Sequence, residues 1–407
     1  MRLSRRALLG AAAGAGASVA VAPRARAQSK PLKVGLLTDM SGPYRDIGGP
    51  LAVAAAQQAI AEFTAAHGVA VDFISADTQN KPDIGAGVAR QWFDQEGVDF
   101  LTGVPNSAVA LAVAGVAREK NKVYANTGAA TSDLTGPKCN ANTIHWSYDT
   151  WMLARSTGGA TVRTGADTWF FITADYAFGH ALQRDTTGFI TAAGGKVLGS
   201  VAYPFPGTTD FSSFLLQAQA SGAKVIGLCN AGADTVNSIK QAHEFGVTQT
   251  LAGMLVFISD VHALSLDVAQ GLLVTETFYW DLNDRTRALS ARMLPRAPDK
   301  RMNMDQAGGY AATLHYLKVA TAMGVAQAKA DGAATVARMK STPTDDDAFG
   351  PGMIRLDGRT IHPSYLFQVK KPDESKGPWD YYKLLATTPA DQAFRPLAQG
   401  GCPLVKA

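Results

Sequence analysis

The sequence predicts an α/β fold of two Rossmann-like lobes, each a parallel sheet with crossover helices. Short runs of aliphatic and β-branched residues alternate with helix-period patterns many times, as βαβ units require. That alternation runs through twice, with a stretch of mixed loop and helix character at 139–164 between the two series. Once an export signal of 27 residues is set aside, 380 remain, and with 46% hydrophobic residues in the full chain they suffice for two cores of ordinary domain size.

The first series opens on Lys33-Val34-Gly35-Leu36-Leu37, a run too apolar to face water, within an expected strand at 32–38. Helical patterns at about 47–66, 82–95 and 108–120 alternate with strand runs at 69–76, 98–104 and 122–126. The second series has strand runs at 168–173, 196–202, 225–229, 251–255 and 272–278, with helical patterns at 179–193, 211–221 and 235–245. Two further helices are expected at 304–323 and 333–340, and from Met353 the chain alternates like short strands.

Residues 1–27 read as an address. Arg5-Arg6 precede an apolar run rich in Gly and Ala that Pro23 breaks, too weak for a membrane span, and Ala25-Arg26-Ala27 suits signal peptidase. A twin-arginine export signal cleaved before Gln28 is expected, with an ordinary secretory signal as the alternative; both place the protein outside the cytoplasm, in the periplasm. Losing the five arginines of that segment leaves 33 bases of the original 38 against 34 acids, a net charge of −1. With no basic stripe interleaved with aromatics, nucleic acid is an unexpected partner.

The three cysteines sit in unlike settings. Cys229 lies inside an apolar strand run, where a thiol is a small hydrophobe. Cys139 and Cys402 lie in loop-like stretches, so in an oxidising compartment any disulfide is expected between these two. No Cys-x-x-Cys or close Cys/His pair points to a metal site, and the seven histidines are scattered singly.

In open α/β sheets ligands sit beyond the carboxyl ends of the strands. The first strand ends in Asp39-Met40-Ser41-Gly42-Pro43-Tyr44, where Ser41 and the following amides can donate to an anion or can simply cap a turn. Asn106 and Ser107 open a helix after the third strand, and 127–131, with Thr127, Ala129 and Ala130, follow the fourth. In the second lobe Tyr176 and Phe178 follow one strand and Asn230 another, with core packing and helix capping as the plain alternatives for Phe178 and Asn230. Small polar groups on one side and aromatics on the other suit a small ligand with an anionic head and an apolar body.

The segments KVGLLTDMSGPYRDIG, Asn106-Ser107, TGAATSDLT, FGHAL and AQGLLVTETF occur in an order and spacing that resemble type I periplasmic binding proteins, in the branched-chain (hydrophobic) amino acid cluster of ABC importer receptors. The resemblance covers nearly all of the mature chain. It implies a clamp hinged by three crossovers, with one lobe from 30–147 and 280–345, the other from 148–279 and 346–390, and a tail at 391–407. It also implies a monomeric receptor without cofactor, handing a small carboxylate to an inner-membrane permease. Position by position, the family's serine after the third strand falls on Asn106 or Ser107, its carboxylate grip on Thr127 to Thr131, and its aromatic before Gly on Phe178.

One departure bears on the ligand. Amino-acid receptors of this cluster hold the α-ammonium with an acid that follows the strand expected at 251–255. Here Met254, Leu255, Val256 and Phe257 are apolar and Asp260 comes late. Because a buried ammonium without a counter-charge costs on the order of several kcal/mol, the expected ligand is a carboxylate lacking an α-amino group, an aromatic or short aliphatic acid, with Phe257 counted among its apolar contacts; a hydrophobic amino acid is the alternative. An exported enzyme is the rival class, but the mature chain has no HExxH, Gly-x-Ser-x-Gly or P-loop. The same clamp feeding a sensor in place of a permease is a third reading.

Overall fold

A computed structural model of the chain describes residues 31–405 except 159–161, 163 and 164. The expected export signal at 1–27 lies outside the described residues. Among those described, no helix is long and apolar enough to cross a membrane.

The first sheet is parallel and five-stranded: β1 (Leu32–Thr38), β2 (Val71–Asp77), β3 (Phe100–Gly103), β4 (Val123–Asn126) and β5 (Thr143–His145), in the order β2-β1-β3-β4-β5. β1 lies between β2 and β3 and is almost wholly buried, as its unbroken apolar run requires, whereas edge strand β2 is only half-buried. Helices Gly49–His67, Pro82–Gln91 and Ser107–Glu119 make the crossovers. The long helix Met304–Met323 packs on Gly49–His67, and its Tyr316 stacks on Phe100 of β3 at 4.3 Å.

The second sheet holds β6 (Thr168–Ala174), β7 (Lys196–Tyr203), β8 (Val225–Cys229) and β9 (Thr250–Gly253), parallel in the order β7-β6-β8-β9. β7 alternates exposed and half-buried residues, the pattern of an edge strand, and β8 is buried throughout. Strand order therefore reverses beside β1 in one sheet and beside β6 in the other. Those reversals open crevices at the strand ends, which puts the loops after β1, β3, β6 and β8 where a ligand site forms.

Two elements differ from the sequence expectation. β9 ends at Gly253, so Met254–Phe257 leave the sheet and lead into helix Ile258–Leu264. β10 (Leu273–Glu276) does not extend the parallel series; it pairs antiparallel with β14 (Ser364–Val369), which pairs with β15 (Tyr382–Thr388). Between them in sequence, β11 (Thr344–Asp346), β12 (Gly350–Ile354) and β13 (Thr360–Ile361) form a small antiparallel sheet. A bridge between His145 and Arg359 ties that sheet to the edge of the first. Periodicity marks strands but is silent on which partner strand each finds.

Cys139 and Cys402 are joined in a disulfide with Cα atoms 5.5 Å apart, closing 263 residues of sequence, and Cys229 is a buried free thiol. A cross-link over so long a loop mainly restricts the unfolded chain. Replacing both cysteines by Ser is expected to lower stability by about 2–5 kcal/mol in urea unfolding, with Cys229→Ser, which touches no cross-link, as the comparison.

Candidate ligand cleft

The turn after β1 is built around one carboxylate. Asp39 Oδ1 accepts from the amides of Ser41 (3.2 Å) and Gly42 (2.7 Å), and Oδ2 from the amide of Tyr44 (2.8 Å) and from Asn80 Nδ2 (2.5 Å). The amides expected to await an anionic ligand are thus already held by an anion of the chain. Ser41 is exposed, and its Oγ donates to Asp77 Oδ2 at 2.8 Å, away from the cleft. What the turn delivers is Tyr44, which is buried.

Tyr44 is where the two sides meet. Its hydroxyl is hydrogen-bonded to that of Tyr176, and the Phe205 ring stacks on Tyr44 at 5.2 Å and on Tyr176 at 4.4 Å. Beside them the amide of Ala233, at the head of helix Ala233–Glu244, donates to the Pro43 carbonyl at 3.0 Å. Gly232 makes that approach feasible: its φ is +60°, and a Cβ there would lie 2.5 Å from the Pro43 oxygen. Burial drives the hydroxyls of Tyr44, Tyr148 and Tyr176 well above the ordinary tyrosine range, so all three stay neutral donors.

Under this contact lies a cavity of about 10 Å³, room for about one water molecule. Of the residues singled out in the sequence, Tyr44, Ala130, Tyr176 and Phe178 line it; Ile47, Pro105, Gly128, Tyr148, Ala231 and Leu255 complete the wall. No acidic or basic side chain is on that wall. Tyr148 comes from the crossover after β5, donates to the Gly128 carbonyl and meets Phe257 edge-on at 5.7 Å. Tyr148 escapes sequence reading because β5 falls in the stretch expected to have mixed loop and helix character, and Phe205 because it follows the edge strand β7.

The polar candidates have partners within the fold. Asn106 caps its helix, Oδ1 accepting from Ala108 (2.9 Å) and Val109 (3.1 Å). Thr127 Oγ1 donates to Asp305 Oδ1 at 2.8 Å, and the Ala129 amide donates to Asn126 Oδ1 at 3.2 Å. Asn230 donates to Ser238 Oγ at 3.0 Å and accepts from Thr235 Oγ1 at 2.7 Å. Phe257 is fully buried behind Tyr148, its amide donating to Asp260 Oδ2 at 2.9 Å. Asp260 is therefore a cap for its own helix, and burial raises its pKa to about 7. Two groups keep a donor. Ser107 Oγ accepts from the Thr131 amide at 3.3 Å, which leaves its proton for another acceptor, and the Ala130 amide on the cavity wall has no partner in the chain.

The sequence profile of a family described as periplasmic binding protein matches residues 31–378. The chain belongs to that family. A periplasmic binding protein structure from Burkholderia mallei is 46% identical with a TM-score of 0.88, over 92% of this chain and 99% of that one. A branched chain amino acid ABC transporter periplasmic ligand-binding protein from Burkholderia xenovorans is 39% identical with a TM-score of 0.79, over the same shares. A Leu/Ile/Val-binding protein homolog from Brucella melitensis is 25% identical over 261 residues, 61% of this chain and 65% of that relative's length. The two-lobe α/β architecture is that of periplasmic binding proteins, which bind solutes and are not enzymes.

The turn makes a direct prediction. Asp39→Ala removes the acceptor of four hydrogen bonds and is expected to cost about 2–5 kcal/mol of stability, while Ser41→Ala, which loses one exposed bond, changes it by less than about 1 kcal/mol. Urea unfolding of both variants without ligand measures the difference.

Proposed function

We propose that this protein is a periplasmic receptor that closes around one small monocarboxylate and delivers it to an ABC import permease. The observation that carries the reading is the aromatic seal in which Tyr44 from one side and Tyr176 from the other meet over a small cavity free of charged side chains. The carboxylate is set against the Ala130 amide and the Ser107 hydroxyl, two donors without an acceptor among the described residues, with the apolar part of the ligand against Ile47, Phe178 and Leu255. Export by the signal at 1–27 supplies the location, and the Burkholderia xenovorans relative's description supports the transport setting.

Two features favour an acid without an α-ammonium. The wall carries no carboxylate, and Asp260, the acid that follows β9, is engaged by the Phe257 amide. An unpaired buried ammonium would cost roughly several kcal/mol.

A thermal-shift panel of acetate, propionate, butyrate, pyruvate, benzoate, leucine and valine tests this. An acid at a hundredfold excess over its Kd adds about 2.7 kcal/mol of stability, while leucine and valine are expected to give no shift. Tyr44→Ala and Tyr176→Ala should each weaken binding of the selected acid by about 1–3 kcal/mol. A shift with leucine or valine and none with any acid would overturn the ligand class.

A further inference from the structure

One buried acid at the back of the cleft has no role in the account so far. Asp305 is the second residue of helix Met304–Met323 and only 1% exposed. Its Oδ1 accepts from Thr127 Oγ1, but its Oδ2 is buried with no hydrogen-bond partner among the described residues. An ionised oxygen in that state carries the full desolvation penalty.

The place of that oxygen matters more than its burial. A Cβ added to Gly128 would lie 2.6 Å from Asp305 Oδ2 and 2.8 Å from Pro105 Cα, and one on Gly48 would lie 3.4 Å from the same oxygen. Gly128 and Pro105 are cavity wall. The free oxygen thus lies directly behind the wall at Gly128, with the Thr38 hydroxyl and the Pro105 ring close to it at Gly48. Thr127, which orients the other oxygen, begins the loop that carries the Ala130 amide.

Resting on the proposed carboxylate ligand, we infer that Asp305 is a proton-linked positioning residue: placed behind Gly128 and bonded to Thr127, it is held as a neutral acid when the ligand's carboxylate binds, so that binding above neutral pH takes up one proton from solvent. The proton stays on Asp305 and the ligand stays an anion. This removes a like charge from behind the anionic head in a cavity whose wall has no basic side chain. Burial raises the Asp305 pKa to about 7, which sets where the protonated form becomes scarce.

The neighbours do not blur the titration. Tyr124 on β4 and Tyr148 on the crossover face Asp305, and burial holds both hydroxyls far above neutrality. Glu276 at the end of β10, whose Oε1 accepts from the Tyr382 hydroxyl at 3.4 Å, is also shifted upward by burial, and an Asp305 variant separates the two. No Lys, Arg or His contributes to the Asp305 shift.

The experiment is calorimetry of the acid selected by the panel, from pH 5.5 to 8.5, with wild type and Asp305→Asn, in buffers of different ionisation enthalpy. Wild-type affinity should be level to about pH 6.5 and fall at least tenfold by pH 8.5, with close to one proton taken up at the high end. In Asp305→Asn the side chain is neutral at every pH, so the pH dependence of binding is lost. Acid binding that is equally tight at pH 6 and 8.5 in wild type would overturn the role of Asp305 and leave the receptor reading standing; binding of leucine or valine in place of acids would overturn both. Stability without ligand is a second check. An Asp whose folded pKa is raised destabilises the fold as pH climbs through the window from its unfolded value toward 7, so wild type should lose Tm relative to Asp305→Asn between pH 5 and 7. Parallel Tm curves for the two proteins would also sink the inference.

Discussion

The cleft depends on a buried guanidinium far along the chain. Arg359 is fully buried and donates to the carbonyls of Trp146 (2.7 Å), Tyr148 (3.1 Å) and Thr360 (3.1 Å), with Asp149 Oδ2 at 3.6 Å and the Phe394 ring 4.1 Å below its plane. His362 adds a second bond to the Trp146 carbonyl at 3.0 Å. These contacts clamp 146–149, the segment that leaves β5 and presents Tyr148 to the cavity. Desolvation lowers the Arg359 pKa to about 10, still far above neutrality, so the charge persists and backbone carbonyls rather than water satisfy it. Taking away one partner of such a group leaves a buried unpaired charge, commonly a loss of about 3–5 kcal/mol. The C-terminal part of the chain, from β13 to Phe394, is thereby made part of the ligand site's foundation without touching it.

A second constraint is competition for the same donors. The ends of parallel strands and the heads of helices expose amides that an anion from any source can accept. In this molecule the chain's own carboxylates and amides take most of them: Asp39 fills the turn after β1, Asn106 caps the helix after β3, and Asp260 holds the amide of Phe257. The site is what remains once the fold has satisfied itself. That remainder is small and mostly aromatic, which is why contact across the cleft rests on stacked rings and one hydroxyl pair more than on charge.

The structural cross-links lie away from the cleft. The disulfide joins Cys139, in the loop before β5, to the end of the described chain at Cys402, and Arg395 donates to the Ser132 carbonyl nearby. Both tie the C-terminal tail to the first sheet's side. Across the cleft, by contrast, the contacts at its mouth are the Ala233 amide on Pro43 and the ring cluster, contacts that a hinge motion breaks without disturbing either core.

By itself the sequence determined the alternation of strands and helices in both series, since an apolar run such as 33–37 or 225–229 has to be buried whatever surrounds it. It also marked Tyr44, Ala130, Tyr176 and Phe178, because residues just beyond strand ends must lie at the crevice of an open sheet. Only the tertiary structure decided the rest. That Ser41 bonds the Asp77 carboxylate, Asn106 the backbone of its own helix and Asn230 the Ser238 hydroxyl turns on rotamers and distances of a few tenths of an ångström, and residue type carries no such information. Tyr148 and Phe205 reach the cleft from a crossover and from the loop after edge strand β7, and Asp305 backs its wall from a helix 178 residues past Thr127. A hydrophobic period reports which face of an element is buried; it does not report which distant element buries it.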